Sequence, residues 1–468
     1  MKMLSKLSLA AASLLCAAGF VPAAAQEKEQ PPAGGEPRDF SLPKIESYAL
    51  RNGVKVTLVP YGRVPKATVR AVVRAGNLND GNQTWIADMT AAMMEEGAGG
   101  KSAGEIATLA AGMGGDFNLG VGLDQTFAAM DVLSDSAPDA VSLIADVLQR
   151  PNFPESEVEK VRADLIRNVS IARTQAQAQA GEAFAAVLYP DHPYGDTLPD
   201  DGQLESYTLD DVRAFHAENF GGARTHVYVV GQFDRRKIRS AIKSAFGKWE
   251  KGPAPLTLAS TPNEETSVVL IDRPGAPQST IRLGKRVPPV DQSVDLAATN
   301  TLLGGYFSSR ITRNIREDKG YTYSPGSQVA LRYKAANWQQ NADITSEATG
   351  PALAEILKEI RRMQDEPISD AELQGIKNYM NGIFVLQLAS RGGMANRLAF
   401  VNLHELGTKY LESYVGKVQA LSTADFQNAA SEHLSIDEMS LVVVGPLDSV
   451  RGQLEALPEF AERLPAAE

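Results

Sequence analysis

Two imidazoles one helical turn apart, with a carboxylate between them, would hold zinc and activate a water for hydrolysis. This chain has five histidines, His192, His216, His226, His404 and His433. No two of them stand four residues apart, and none belongs to a His-x-x-Glu-His sequence. Histidines scattered in this way read as surface or hydrogen-bonded structural imidazoles. The single cysteine, Cys16, lies in the N-terminal apolar run, so no disulfide or thiolate pair is available. Asp88 sits on an otherwise aliphatic helical turn, and one carboxylate cannot hold zinc. The residue types therefore predict no cofactor in this chain and no peptide cleavage by it alone.

The elements that would position any functional group come in two matched sets. Thr208-Leu209-Asp210-Asp211-Val212 leads through a helical stretch to Val227-Tyr228-Val229-Val230-Gly231, and Ser422-Thr423-Ala424-Asp425-Phe426 leads likewise to Leu441-Val442-Val443-Val444-Gly445, at a constant offset of 214 residues. Pro65 to Arg70 returns as Pro277 to Arg282, at offset 212. The start and the end of one half both recur, so two homologous domains in tandem are predicted. Ser47 to Pro60, turning at Asn52-Gly53, Thr68 to Ala75 and Asp124 to Leu133 have strand character. Thr84 to Glu96, Ser136 to Gln149 and Ser156 to Thr174 have helical periodicity, with Pro151 and Pro154 between the last two. The second half repeats the order, with helices near Val294 to Leu303, Gly350 to Gln364 and Asp370 to Leu388. Strands mixed with segregated helices give an α+β class, each domain a mixed, mainly antiparallel sheet with helices on one face.

The N-terminus speaks to compartment. Lys2 and Lys6 precede an apolar run from Leu7 to Val21 that is too short for a membrane span, and Ala23-Ala24-Ala25 forms a small-residue cleavage site. Residues 1–25 read as a secretory signal peptide, which predicts a periplasmic or secreted protein with no membrane span after cleavage. Residues 26–45 read as a flexible leader, 46–250 as the first domain, 251–265 as a linker rich in proline, and 266–462 as the second domain. Removing two lysines takes the net charge of −11 to −13, which argues against nucleic acid as a partner.

Several separated phrases, in order, resemble the pitrilysin/insulinase metallopeptidases, in particular the short processing-peptidase type. They are Asp88 to Gly97 with Lys101 to Ala107, then His192-Pro193-Tyr194-Gly195, then Tyr306-Phe307-Ser308-Ser309-Arg310 running on to Tyr323. The resemblance spans about Ser47 to Leu457. It places the zinc motif of the family on Asp88, Met89, Thr90, Ala91 and Ala92, and its third ligand near Asn168, so the ligands and the base are gone. It also implies roles for Arg316 and Tyr323, which in the family reach across a chamber to substrate at the zinc. A guanidinium and a phenol there would stabilise an oxyanion or fix a neighbouring peptide carbonyl. Gly304 and Gly305 correspond to a glycine-rich segment that handles substrate in related noncatalytic subunits; a Gly-Gly pair also simply ends a helix. The resemblance implies a zinc-free subunit whose partner is a homologous zinc-bearing peptidase subunit, the two closing around unfolded peptide substrates. A noncatalytic peptide-binding or assembly protein of the same fold is the alternative, and an autonomous peptidase with an unrecognised site is a third reading.

Overall fold

The computed structural model describes residues 41–258, 260 and 265–466; the expected signal peptide over 1–25 and residues 26–40 of the expected leader lie outside the described residues. Thirteen strands are described: β1 (Glu46–Ala49), β2 (Lys55–Pro60), β3 (Lys66–Val73), β4 (Gly97–Ala98), β5 (Lys101–Ser102), β6 (Asn118–Val121), β7 (Thr126–Leu133), β8 (Thr225–Gly231), β9 (Val268–Asp272), β10 (Gln278–Val287), β11 (Gly326–Arg332), β12 (Ala335–Thr345) and β13 (Ser440–Gly445). They form one sheet in the order β1-β2-β8-β3-β7-β6, a second in the order β11-β12-β10-β13-β9, and a small β4-β5 hairpin. The pairs β2/β8 and β13/β9 are parallel and the other ladders antiparallel, so both sheets are mixed and mainly antiparallel.

Alternation along each strand decides which face the helices cover. Ala67, Val69, Ala71 and Val73 of β3 point into a core with Val141, Ile144 and Leu148 of the helix Ala137–Gln149 and Ile238, Ile242 and Phe246 of the helix Arg235–Phe246. Lys66, Thr68 and Arg70 alternate with them and point the other way. A second core joins Ile281 and Leu283 of β10 to Leu353, Ile356 and Ile360 of the helix Thr349–Asp365. Matched capping boxes start the two helices that lead into β8 and β13: Asp211 accepts the N–H of Thr208 at 2.8 Å, and Asp425 that of Ser422 at 2.7 Å.

The helices of each half gather on one face of its own sheet, and the opposite face takes one helix from the other half. The helix Ala176–Leu188 lies on β13 and β10, burying Ala180, Phe184 and Leu188 against Val442 and Val444. The helix Arg391–Leu403 lies on β8 and β3, where Asn402 donates to the Tyr228 hydroxyl at 2.9 Å. Burying Phe184 and Leu188 stabilises this arrangement by roughly 1.5–3 kcal/mol each. The described residues from Ser41 onward form one compact unit. Residues 251–258 have no regular structure; Ala223 donates its N–H to the Lys251 carbonyl at 2.7 Å, and Arg224 Nε to that of Ala254 at 3.1 Å.

Most expected elements lie within a few residues of their predicted bounds. One does not run as expected. The helix near Val294 is α-helical only over Asp295–Asn300 and continues as a π-helical turn, Thr301–Gly305.

Candidate functional site

The helix Ile86–Glu95 carries Asp88 to Ala92, the positions that the family resemblance gives to the zinc motif. Its first turn is capped from outside: Asp80 accepts the backbone N–H groups of Trp85 at 2.9 Å and Ala87 at 3.0 Å, with Trp85 held in the left-handed region at φ 71°. Asn77 Nδ2 bridges two carboxylates, donating to Asp80 at 3.0 Å and to Asp88 at 2.6 Å. Burial pushes the Asp80 carboxyl up to about 7, the N–H donors and Asn77 acting the other way, and burial likewise raises that of Asp88. Asp88 is thus already engaged in anchoring the helix start. Met89, Thr90 and Ala91 are buried, Ala92 is half-buried, and Asn168 on the helix Val158–Thr174 is exposed. These residues do not fit zinc: one engaged carboxylate faces aliphatic neighbours, and among the described residues no three His, Cys, Asp or Glu side chains gather where they could hold a metal.

The histidines have local partners and do not converge. His216 Nε2 bonds the Leu148 carbonyl at 2.9 Å, and its ring stacks on Phe220. His226 bonds Thr57 at 2.8 Å and stacks on Tyr228, and burial brings its imidazole down to about 3. His192 belongs to the His192-Pro193-Tyr194-Gly195 phrase, which is a joint between the halves. Tyr194 donates its hydroxyl to Asp124 at 2.6 Å, while the other Asp124 oxygen accepts the N–H of Tyr333 at 3.1 Å. Arg332 lies over the Tyr189 and Tyr194 rings.

Arg316 and Tyr323 come together. Arg316 stands on a second π-helical segment, Thr312–Asp318, and its guanidinium carbon lies 4.4 Å from the centre of the Phe307 ring and 5.2 Å from that of Tyr323. Tyr323 is 78% exposed and Phe307 66%. The guanidinium is held by two rings, and among the described residues it takes part in no ion pair. The segment beneath is fixed from three sides. Arg310 makes a two-pronged pair with Glu372 at 2.9 and 3.1 Å; Asn314 donates to Glu355 and Glu359, both at 2.8 Å; Thr322 bridges to Ile344 and donates to the Asp343 carbonyl at 2.6 Å. Tyr321 packs against the second core while Tyr323 faces outward, so the two do not share a strand face as an extended segment would require. Phe307 escaped the sequence reading, although it lies inside the quoted Tyr306 to Arg310 phrase.

Gly304 and Gly305 end the first π-helical turn. A Cβ on Gly304 would sit 2.4 Å from Ser327 Oγ, and one on Gly305 2.7 Å from Asn300 Nδ2, so close packing requires glycine at both. Gly304 is buried and Gly305 exposed, next to Tyr306, whose ring lies 5.0 Å from that of Tyr379.

Two family profiles match in succession: that described as insulinase (peptidase family M16) over residues 56–202, and that described as the peptidase M16 inactive domain over residues 206–380. The chain belongs to the insulinase family. Among insulinase-family relatives, it is 25% identical to an uncharacterized zinc protease of Mycobacterium tuberculosis, over 91% of this chain and 98% of that protein. It is 24% identical to the uncharacterized zinc protease YmxG of Bacillus subtilis, over 86% and 98%. Among solved structures it is similar to a peptidase M16 inactive domain from Pseudomonas fluorescens, with TM-score 0.80 and 25% identity over 86% of this chain and 98% of that one. A protease from Helicobacter pylori (TM-score 0.80, 21% identity, 87% and 100% covered) and the periplasmic protease PqqL from Escherichia coli (0.74, 17%, 90% and 49%) share the fold. This insulinase-family chain thus has relatives named as zinc proteases, while its own motif positions lack zinc ligands.

Proposed function

We propose that this chain is a zinc-free subunit of a heterodimeric periplasmic peptidase, contributing Arg316 and Tyr323 to the substrate and transition state at the zinc of a homologous partner. The observation that carries the reading is the exposed Phe307–Arg316–Tyr323 stack: a guanidinium that takes part in no ion pair among the described residues and an outward-facing phenol, held from beneath, in a chain with Asp88, Ala91, Ala92 and Asn168 at the positions the resemblance gives to the base and ligands. Hydrolysis at zinc develops negative charge on the peptide oxygen. A phenol hydroxyl that donates to that oxygen, beside a fixed positive charge, would stabilise the transition state more than the ground state. Gly305, exposed beside Tyr306, would let an unfolded peptide approach the backbone there, while the buried Gly304 would support it by close packing. The periplasmic assignment rests on the signal-like N-terminus.

Mixing this chain with a secreted homologue that carries His-x-x-Glu-His tests the reading. Peptidase activity absent from either chain alone should appear, with a complex of roughly twice the monomer mass. In that complex Tyr323→Phe is expected to lower kcat by roughly 10²-fold, the effect of losing one oxyanion donor, and Tyr321→Phe to change it little. Full activity of the zinc-bearing chain alone would refute the shared site. Small and equal effects of both substitutions would favour the noncatalytic assembly reading instead.

A further inference from the structure

The face of the first sheet turned away from its own helices holds a cavity of about 570 Å3, bounded by β3, β6, β7 and the start of the helix Arg391–Leu403. Its charge is unlike that of the acidic chain around it. One carboxylate lines it, Asp131, and this is neutralised twice: Arg391 grips it with two bonds of 3.0 Å, and Lys66 approaches to 2.9 Å. Arg70 and Arg63 also line the cavity, and among the described residues neither takes part in an ion pair. Arg70 lies 3.9 Å over the Phe127 ring, and its buried Nε has no hydrogen-bond partner.

The duplication supplies an internal control. Thr68 donates to Asp131 across the first sheet at 2.8 Å, and Thr280 to Asp343 across the second at 2.5 Å. Arg282 of β10 corresponds to Arg70 of β3. Its cross-strand neighbour is Asn341, whose carbonyl accepts from Nη1 at 3.0 Å, while Nη2 donates to the Gln177 backbone carbonyl at 3.2 Å. The cross-strand neighbour of Arg70 is Ala129, which has no acceptor to offer. Arg282 too borders a cavity and leaves its buried Nε without a partner, but both of its Nη groups are bonded from within, whereas among the described residues Arg70 makes no such bond. A guanidinium stays protonated at any working pH, so its Nη donors are left to water or to an acceptor that enters the cavity and displaces it.

We propose that this cavity binds the carboxylate of a peptide, with the half-buried Arg70 as the anchor and the exposed Arg63 on the rim. A guanidinium fork matches a carboxylate with two parallel bonds. The volume exceeds that of a bare ion and suits a short length of chain, and Asn118 of the edge strand β6 lines the same wall. The carboxylate is the C-terminus of the peptide or an Asp or Glu side chain. This assignment rests on the reading of the chain as a peptide-handling subunit, and binding to the isolated chain separates the two.

Fluorescence anisotropy on the purified chain tests it with three labelled decapeptides: one ending in a free carboxylate, the same sequence amidated and free of acidic residues, and the amidated peptide with one internal Glu. At least one acid-bearing peptide should bind roughly ten- to a hundredfold more tightly than the neutral amide, as expected for charge-assisted bonds. Which of the two does so distinguishes end recognition from side-chain recognition. Arg70→Gln should abolish the preference. Ala129→Asn, which retains the charge but installs the acceptor that Asn341 provides in the other half, should abolish it too, and it carries the test should Arg70→Gln fail to fold. Equal binding of all three peptides, or a preference that survives Ala129→Asn, would overturn the proposal. So would displacement of the peptide by an equal concentration of inorganic phosphate. Failure here with an active reconstituted complex would leave the shared-site reading standing, and carboxylate-dependent binding without any reconstituted activity would do the reverse.

Discussion

Glu372→Gln replaces one oxygen of the carboxylate that holds the segment under the Arg316 stack. Glu372 accepts both prongs of Arg310, and the arginine side chain is only 7% exposed. The Arg310 guanidinium beside it, with help from Ser369 and against some burial, holds the Glu372 carboxyl down from the usual 4.5 to about 2. One pKa unit is worth about 1.4 kcal/mol, so the pair corresponds to roughly 3 kcal/mol. With 23% of the Glu372 side chain open to water, screening trims that to about 2 kcal/mol. Glutamine can keep its oxygen on Ser369 and so close the capping box, and its NH2 then faces the Arg310 Nε donor, so the loss combines the ion pair with that donor–donor contact. The folded-state pKa is depressed, so this stabilisation is present above about pH 4.5 and disappears as pH falls toward 2. Urea denaturation should therefore show the variant about 2 kcal/mol less stable at pH 7, with the gap closing at pH 2–3. Equal stability at pH 7, or a gap that does not change with acid, would refute the argument.

Elemental analysis of the purified chain is expected to find no stoichiometric zinc; about one tightly held zinc per chain would overturn the assignment of Asp88 to Ala92 as a degenerate site. Asp80, raised to about 7 by burial, has the opposite linkage to Glu372. Its contribution is fullest below about pH 4 and is lost as pH rises through 7, so Asp80→Asn should flatten the fall in denaturation midpoint between pH 5 and 7.5, an effect on the order of a few kcal/mol. Gly304→Ala should destabilise by about 1–3 kcal/mol in thermal melts, because its Cβ would meet Ser327 Oγ at 2.4 Å. An unchanged melting temperature would show that the segment yields there.

The duplication and the class of fold were legible because they are local: a capping residue with its acceptor three positions on, a run of valines that returns after 214 residues. The covering helices were not. Ala176–Leu188 shows an apolar stripe, but a stripe does not say which sheet it will meet, and it meets the sheet that begins a hundred residues later. The π-helical turns were equally hidden: one packs Gly304 closely against Ser327 and the other carries Asn314 to Glu355, contacts between segments far apart in sequence. The phrase around Tyr306 to Tyr323 singles out Arg316 and Tyr323 by position but carries no sign that Phe307 stacks on Arg316.

The helix that each half lends to the other amounts to an isologous contact folded into one polypeptide: the surface given and the surface received are copies of each other. Such a contact saturates itself. Once Ala176–Leu188 and Arg391–Leu403 have docked, neither copy of that surface is left over to recruit a further subunit, so any partner must meet this chain through other faces. Neither half, cut from the other, would retain a cover for the far side of its sheet, and the two halves should therefore melt as one.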